Sequence, residues 1–259
     1  MVIGGIIALV VAAVAYFYAH SQQKSLSEMT LAETVTCDEL GQLSAAAAEA
    51  VGAGSFGQAC EVVGVAAPGA QGALTAPESG REVVWHRTLL TEHYTTTETD
   101  SEGKSRQVDK TRVVAQHESQ EPFVVRDATG EIVVDPRGAD LDNPFELVDR
   151  FERNSSNIDL GDSKWANIAE QFAKAGVQGG IQHQEWGIPV GQQLYVLAEA
   201  TDRSGTLTMS RPEKGRFTIS TKTEEELRDS AGTTVAIATS IAVVVGIAGV
   251  VLLVLGLLG

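Results

Sequence analysis

The chain is apolar at both ends and charged only between them. Val2–Ala19 contains no Lys, Arg, Asp, Glu or His, and neither does Ala231–Gly259; every acidic and basic residue lies in between. A helix needs about 20 apolar residues to cross a bilayer. Segments 2–19 and 232–258 therefore read as transmembrane helices that hold an intervening folded region to lipid at both ends. The first segment lacks the cationic start of a cleaved leader, and Phe17-Tyr18-Ala19 sets a bulky residue where a leader needs a small one. It reads as a retained anchor. Gly4, Ala8 and Ala12 recur every four residues in the first segment, as Ala238, Ala242 and Gly246 do in the second. That spacing lets helices approach closely in lipid, so the two are expected to pair with each other or to form a homo-oligomer with a second copy. Lys24, Lys222 and Arg228 flank the segments on the inner side of the sequence and are too few to fix the side of the membrane, but both attached ends must share one side.

The net charge of −15 belongs entirely to the middle region. A surface so acidic repels nucleic acid and anionic headgroups, and no nucleic-acid partner is expected. Two cysteines, Cys37 and Cys60, do not form a CxxC motif. They suit a disulfide in an oxidising space, or two small buried thiols; burial is the commoner fate of such residues.

Residues 27–52 are rich in Ala, Leu and Glu, with Leu40, Leu43, Ala47 and Val51 at helical spacing, and predict a membrane-proximal helix closed by Gly52 or Gly54. From residue 58 to 222 the texture is β. Strands are predicted at 60–66, 82–97, 106–117, 123–126, 131–135, 193–200, 207–210 and 216–220, with hairpin turns at Asp100–Lys104 and Asp127-Ala128-Thr129-Gly130. Helical insertions are predicted at 143–154 and 163–176. Thr223-Glu224-Glu225-Glu226 resembles the acidic first turn of another helix. The fold class is mainly β (α+β): an antiparallel, barrel-like domain with helices on its rim, flanked by the two membrane helices.

No catalytic, cofactor or metal constellation emerges. Gly52-Ala53-Gly54-Ser55-Phe56-Gly57 matches GxGxxG, but it follows a helix and precedes a strand, the reverse of the nucleotide-binding order. His86 and His93 share a strand at an odd spacing, which sets them on opposite faces. Asp140 and Asp142 lack the other ligands of a calcium loop. Trp85-His86-Arg87 draws more notice: Arg87 can stack on Trp85 or bind a carboxylate, although a core Trp beside a paired Arg is the plainer reading.

Several segments line up in order: Cys60-Glu-Val-Val-Gly64, Leu74-Thr-Ala-Pro77-Glu-Ser-Gly80, Val83-Val-Trp85-His-Arg87, Pro122-Phe123 through Asp127 and Gly130 to Val133-Val-Asp135-Pro136, Gly191 through Tyr195 to Glu199, Phe217-Thr-Ile219-Ser220 and Glu224–Leu227. This order resembles the GIDE domain, also called the BAM ("beside a membrane") domain, of mitochondrial outer-membrane E3 ubiquitin ligases and their many prokaryotic relatives. The resemblance implies membrane localisation with two spans, here in a bacterial plasma membrane, and a protein or peptide partner. In the eukaryotic ligases ubiquitin transfer belongs to a RING finger with eight Cys/His zinc ligands. Two cysteines cannot build one, so the resemblance implies a recognition element, or a ligase-family component whose catalytic partner acts in trans. It singles out Trp85, His86, Arg87, Phe123, Asp127, Gly130, Asp135, Tyr195, Glu199 and Phe217 as recognition or structural candidates.

Overall fold

The computed structural model describes residues 34–153 and 179–223, together with positions 4, 7, 8, 10–17, 226, 242, 245, 246, 248, 249, 252 and 254 in the terminal segments. Among the described residues, helix α1 (Cys37–Val51) is followed by twelve strands. Thr36 caps α1, its hydroxyl accepting the Glu39 N–H at 3.3 Å, and Gly52 ends it with φ 103°. The helix is shorter than the sequence predicts. Thr34 instead forms a parallel bridge with Glu61, and the Val35 N–H donates to the Glu61 carbonyl. β-branched residues at 34–36 favour that extended path over helix. Residues 27–33 of the predicted helix lie outside the described residues.

Five strands close into a barrel. β1 (Gly57–Ala67), β5 (Phe123–Arg126), β6 (Glu131–Val134), β11 (Thr208–Ser210) and β10 (Gln193–Thr201) pair in that order, and β10 pairs back with β1. Only β6 and β11 run parallel within the ring. Cys60, Val62, Phe123, Val125, Val134, Val196, Ala198 and Met209 are buried in one apolar cluster, to which Leu40 of α1 adds. β12 (Thr218–Ser220) extends the ring from β10, and β7 (Asp140–Asp142) pairs with β12.

The second sheet stands beside the barrel as a wing. β3 (Glu82–Thr99) and β4 (Ser105–Glu118) form a long hairpin; β9 (Gly179–Pro189) pairs with β3, β8 (Phe145–Arg153) with β9, and β2 (Leu74–Thr75) with the start of β3. Val84, Trp85 and Ile188 join wing to barrel within the shared core. The barrel-like expectation holds. The predicted insertion at 143–154 is corrected: Phe145–Arg153 is a strand. The insertion predicted at 163–176 lies outside the described residues, and β2, β7 and β9 were not anticipated.

Thr223 and Glu226 form a reciprocal cap, Thr223 N–H donating to the Glu226 carboxylate at 2.9 Å and Glu226 N–H to the Thr223 hydroxyl at 3.2 Å. Glu226, the last residue of the acidic run, is helical; Glu224 and Glu225 lie outside the described residues. Among the described residues no helix is long and apolar enough to cross a membrane; most of segments 2–19 and 232–258 lies outside them. Residues 10–17 are helical, and a Cβ built on Gly246 would lie 3.6 Å from the Cβ of Ala12.

Candidate functional site

The wing has two faces of different character. On the inner face, Thr88 lies opposite Glu185, and Leu90 opposite His183, which also faces Arg150 of β8. All but Arg150 are fully buried. The Glu185 carboxylate accepts the N–H groups of Glu78 and Ser79 at 2.8 and 2.9 Å, pinning the turn between β2 and β3 onto the sheet. Glu78 Oε2 stands 3.7 Å from His183 Nδ1 and 3.6 Å from Arg150 Nη2. Proximity to His183, opposed by burial and aided by the charge of Arg150, holds the Glu78 carboxyl below its ordinary range. Glu92, buried, is paired with Arg112 at 2.6 Å. These contacts satisfy charges that would otherwise be costly to bury, and they fasten the wing.

The outer face is open. Arg87 sits with its guanidinium 4.9 Å above the ring of Trp186, its cross-strand partner, rather than on Trp85. His93 Nε2 meets Gln182 Oε1 at 3.1 Å and its ring stands edge-on to Phe151 at 5.2 Å. Asp149 accepts from Gln182 at 2.9 Å and from Gln184 at 3.5 Å. A cavity of about 530 Å³ opens at the far end of this row, bounded by His93, Thr95, Asp109, Thr111, Phe151 and Arg153. Gly179 lines it, and its neighbour Gly180 lies against Phe151. A Cβ on Gly179 would come within 1.8 Å of the His93 carbonyl oxygen, and one on Gly180 within 2.5 Å of both the Glu152 carbonyl oxygen and the Phe151 ring. Val113 and Phe151 are 57% and 47% exposed on the same face. The arrangement offers apolar contact, cation–π and amide hydrogen bonding in one shallow groove, the mix found in protein-binding surfaces.

The sequence-predicted candidates do not converge on this groove. Trp85, Phe123 and Phe217 are core residues. His86 is buried with its ring 5.7 Å from that of His117; burial first, then the charge of His117, lowers its pKa. Its backbone is held by Ser119 in both directions. Asp127 ties the β5–β6 turn to α1: its carboxylate accepts the N–H groups of Cys37, Thr129 and Gly130 at 2.8, 2.7 and 2.9 Å. Burial would raise its pKa, but these bonds hold it well below the carboxylate range. Gly130 packs beside the helix start; a Cβ there would stand 3.5 Å from that of Cys37, an ordinary contact. Asp135 pairs with Arg137, which lowers its pKa, and Glu199 with Arg203 at 3.3 Å. Tyr195 donates to the buried Glu61 at 2.7 Å, and Thr34 donates to the same carboxylate. Arg87 alone reaches the outer face.

The glycine-rich loop is a helix-ending turn, held by Asp202, which accepts from the Gly54 and Phe56 N–H groups at 3.1 and 2.9 Å. Asp142 takes a hydrogen bond from Ser220 and faces Lys222, so it serves strand pairing. Both cysteines are buried free thiols, pushed up to about 12 at Cys37, by burial and then Asp127, and to about 11 at Cys60, by burial. Neither supplies a thiolate near neutral pH. Among the described residues, no three His, Cys, Asp or Glu side chains gather where they could hold a metal ion. Sequence reasoning missed Trp186, Gln182, Asp149 and Phe151, and weighed His93 only beside His86. The available signal was the Gly179-Gly180 pair, which marks close backbone approach in a strand.

The family model for GIDE, described as an E3 ubiquitin ligase, matches residues 91–256. That range takes in most of the wing, the barrel strands from β5 onward and the C-terminal apolar segment. No curated protein and no solved structure matches the chain.

Proposed function

The chain belongs to the GIDE family, and from that premise we propose that it is a membrane-anchored recognition module whose outer wing face takes a protein or peptide. The observation carrying this reading is the open groove itself: a glycine in its lining, an Arg–Trp stack and exposed Val113 and Phe151 on a sheet whose other face is fastened shut. Membrane anchoring draws support from the terminal helix. Val10, Val14 and Phe17 are 58%, 64% and 70% exposed there, whereas Ala12, facing Gly246, is 9% exposed. Apolar exposure of that extent suits a lipid surround. Ubiquitin-type chemistry, where the pathway exists, belongs on this reading to a catalytic partner supplied in trans; the E3 ligase description of the family supports the link to ubiquitin.

A photo-cross-linking residue at Val113 of the full chain, expressed in its membranes, should capture discrete polypeptides, and one at Arg126 on the barrel should not. Equal labelling from both positions would refute a groove-specific role. Release of the chain by alkaline carbonate would refute the anchor. Ubiquitin transfer by the purified chain with E1 and E2 alone would refute the division of labour.

A further inference from the structure

Among the described strands β8 is paired on one side only, with β9, and most of its residues are exposed. Unpaired edges are usually guarded, most often by charge. β8 does carry charge, but of alternating sign: Glu146, Asp149, Arg150, Glu152 and Arg153. Alternation permits pairing where a single sign would forbid it.

Symmetry limits what can pair. Two copies related by a two-fold axis present the same edge, and opposed residues must both direct their backbone groups outward or both inward. Partners therefore lie an even number of positions apart, so a symmetric pairing is centred on a residue meeting its own copy. Centring on Asp149 opposes two aspartates and sets Glu146 against Glu152. Centring on Arg150 opposes two arginines, and on Glu152 two glutamates. Centring on Val148 runs the pairing through the irregularity between Glu146 and Val148. Centring on Phe151 brings Asp149 opposite Arg153 and Arg150 opposite Glu152, twice each by symmetry, with the two half-exposed Phe151 rings meeting on the outer face.

We propose that β8 is a self-association edge, at which a second copy of this chain pairs antiparallel about Phe151 with Asp149 opposite Arg153 and Arg150 opposite Glu152. The occupant is a second copy because the charge pattern is self-complementary in this register and opposed in its neighbours. The outer face of the wing then continues from one copy into the next. Five residues per strand make a small contact, so the association is reversible.

Cross-linking in the full chain tests this. Facing cross-strand residues bring Cβ atoms to about 5 Å, so F151C should give a disulfide-linked dimer under mild oxidation. V113C, also exposed but on the opposite edge strand, should not; Cys37 and Cys60 are buried. Adding D149R or R153E to F151C replaces two attractions by two repulsions and should lower the dimer yield about fivefold or more. Co-expressing the D149R and R153E forms should restore it, because each new charge then meets its opposite. Failure of F151C to link faster than V113C, undiminished yield in D149R, absence of rescue on mixing, or linkage of F151C to a different polypeptide in place of its own copy would each overturn the proposal.

Discussion

Asp127 accepts four hydrogen bonds, from the Cys37, Thr129 and Gly130 N–H groups and the Thr129 hydroxyl. Asp127→Ala removes them together. The Cys37 contact acts as a helix cap and is worth about 1 kcal/mol, with a few tenths more from a carboxylate at the positive end of a helix. The turn contacts are solvent-accessible, and water replaces part of each, leaving roughly 0.5 kcal/mol apiece. The sum is about 2–3 kcal/mol, or roughly 5–10 °C in Tm for a domain of this size. The sign of the pH dependence follows from the lowered folded-state pKa. The contribution is complete above the ordinary carboxylate value of about 4 and drains away as pH falls below it toward the folded value. Asp127→Asn keeps the shape without the ionisation, so it should lose less stability than the parent between pH 5 and pH 3. Urea unfolding of the full chain in detergent, followed by circular dichroism at both pH values, measures all three proteins. An Asp127→Ala change below about 0.5 kcal/mol, within the ordinary effect of a surface substitution, or an unaltered acid loss in Asp127→Asn, would refute the reasoning.

Other outcomes are as specific. Gly180→Ala forces a methyl against the Glu152 carbonyl and Phe151; it should cost about 2 kcal/mol or more, in the range of overpacking, read as a lowered Tm. Tyr195→Phe leaves the buried Glu61 carboxylate without its phenol donor and should destabilise by about 1–3 kcal/mol, checked by urea titration, with Glu61→Gln/Tyr195→Phe less affected than the sum of the singles. Neither cysteine should react with a thiol reagent at pH 7.4 until denaturant is added, because both are buried with raised pKa values; rapid labelling of the native chain would contradict the burial.

Local chemistry made parts of this fold legible. The Asp127–Gly130 turn announces the β5–β6 hairpin because its geometry is set by the turn residues themselves. The β3–β4 hairpin is legible for the same reason. β8 was misread as helix because Phe145, Val148 and Phe151 recur every third residue, and the register shift between Glu146 and Val148 is what breaks the two-residue period a strand should show. β9 escaped notice because Gln182, His183, Gln184 and Glu185 are polar on both faces, and only tertiary burial of His183 and Glu185 distinguishes them. The site was less legible than the fold. Large apolar residues and turn formers stand out in a sequence and turned out to be core and cap. The groove is an assembly from β3, β4, β8 and β9, whose pairings no local pattern specifies.

Ring closure sets the order in which this molecule can be made. β1 completes the barrel only by pairing Gly57 with Thr201 and Val65 with Gln193, so its partner leaves the ribosome long after it. The wing hairpin, whose contacts are local, forms while β1 still waits with one flank unsatisfied. Contacts this distant in sequence are slow to find one another. The vulnerable interval in the protein's life is therefore its birth, and a ribosome stalled before residue 193 would leave a sticky, half-made cylinder for chaperones to shield.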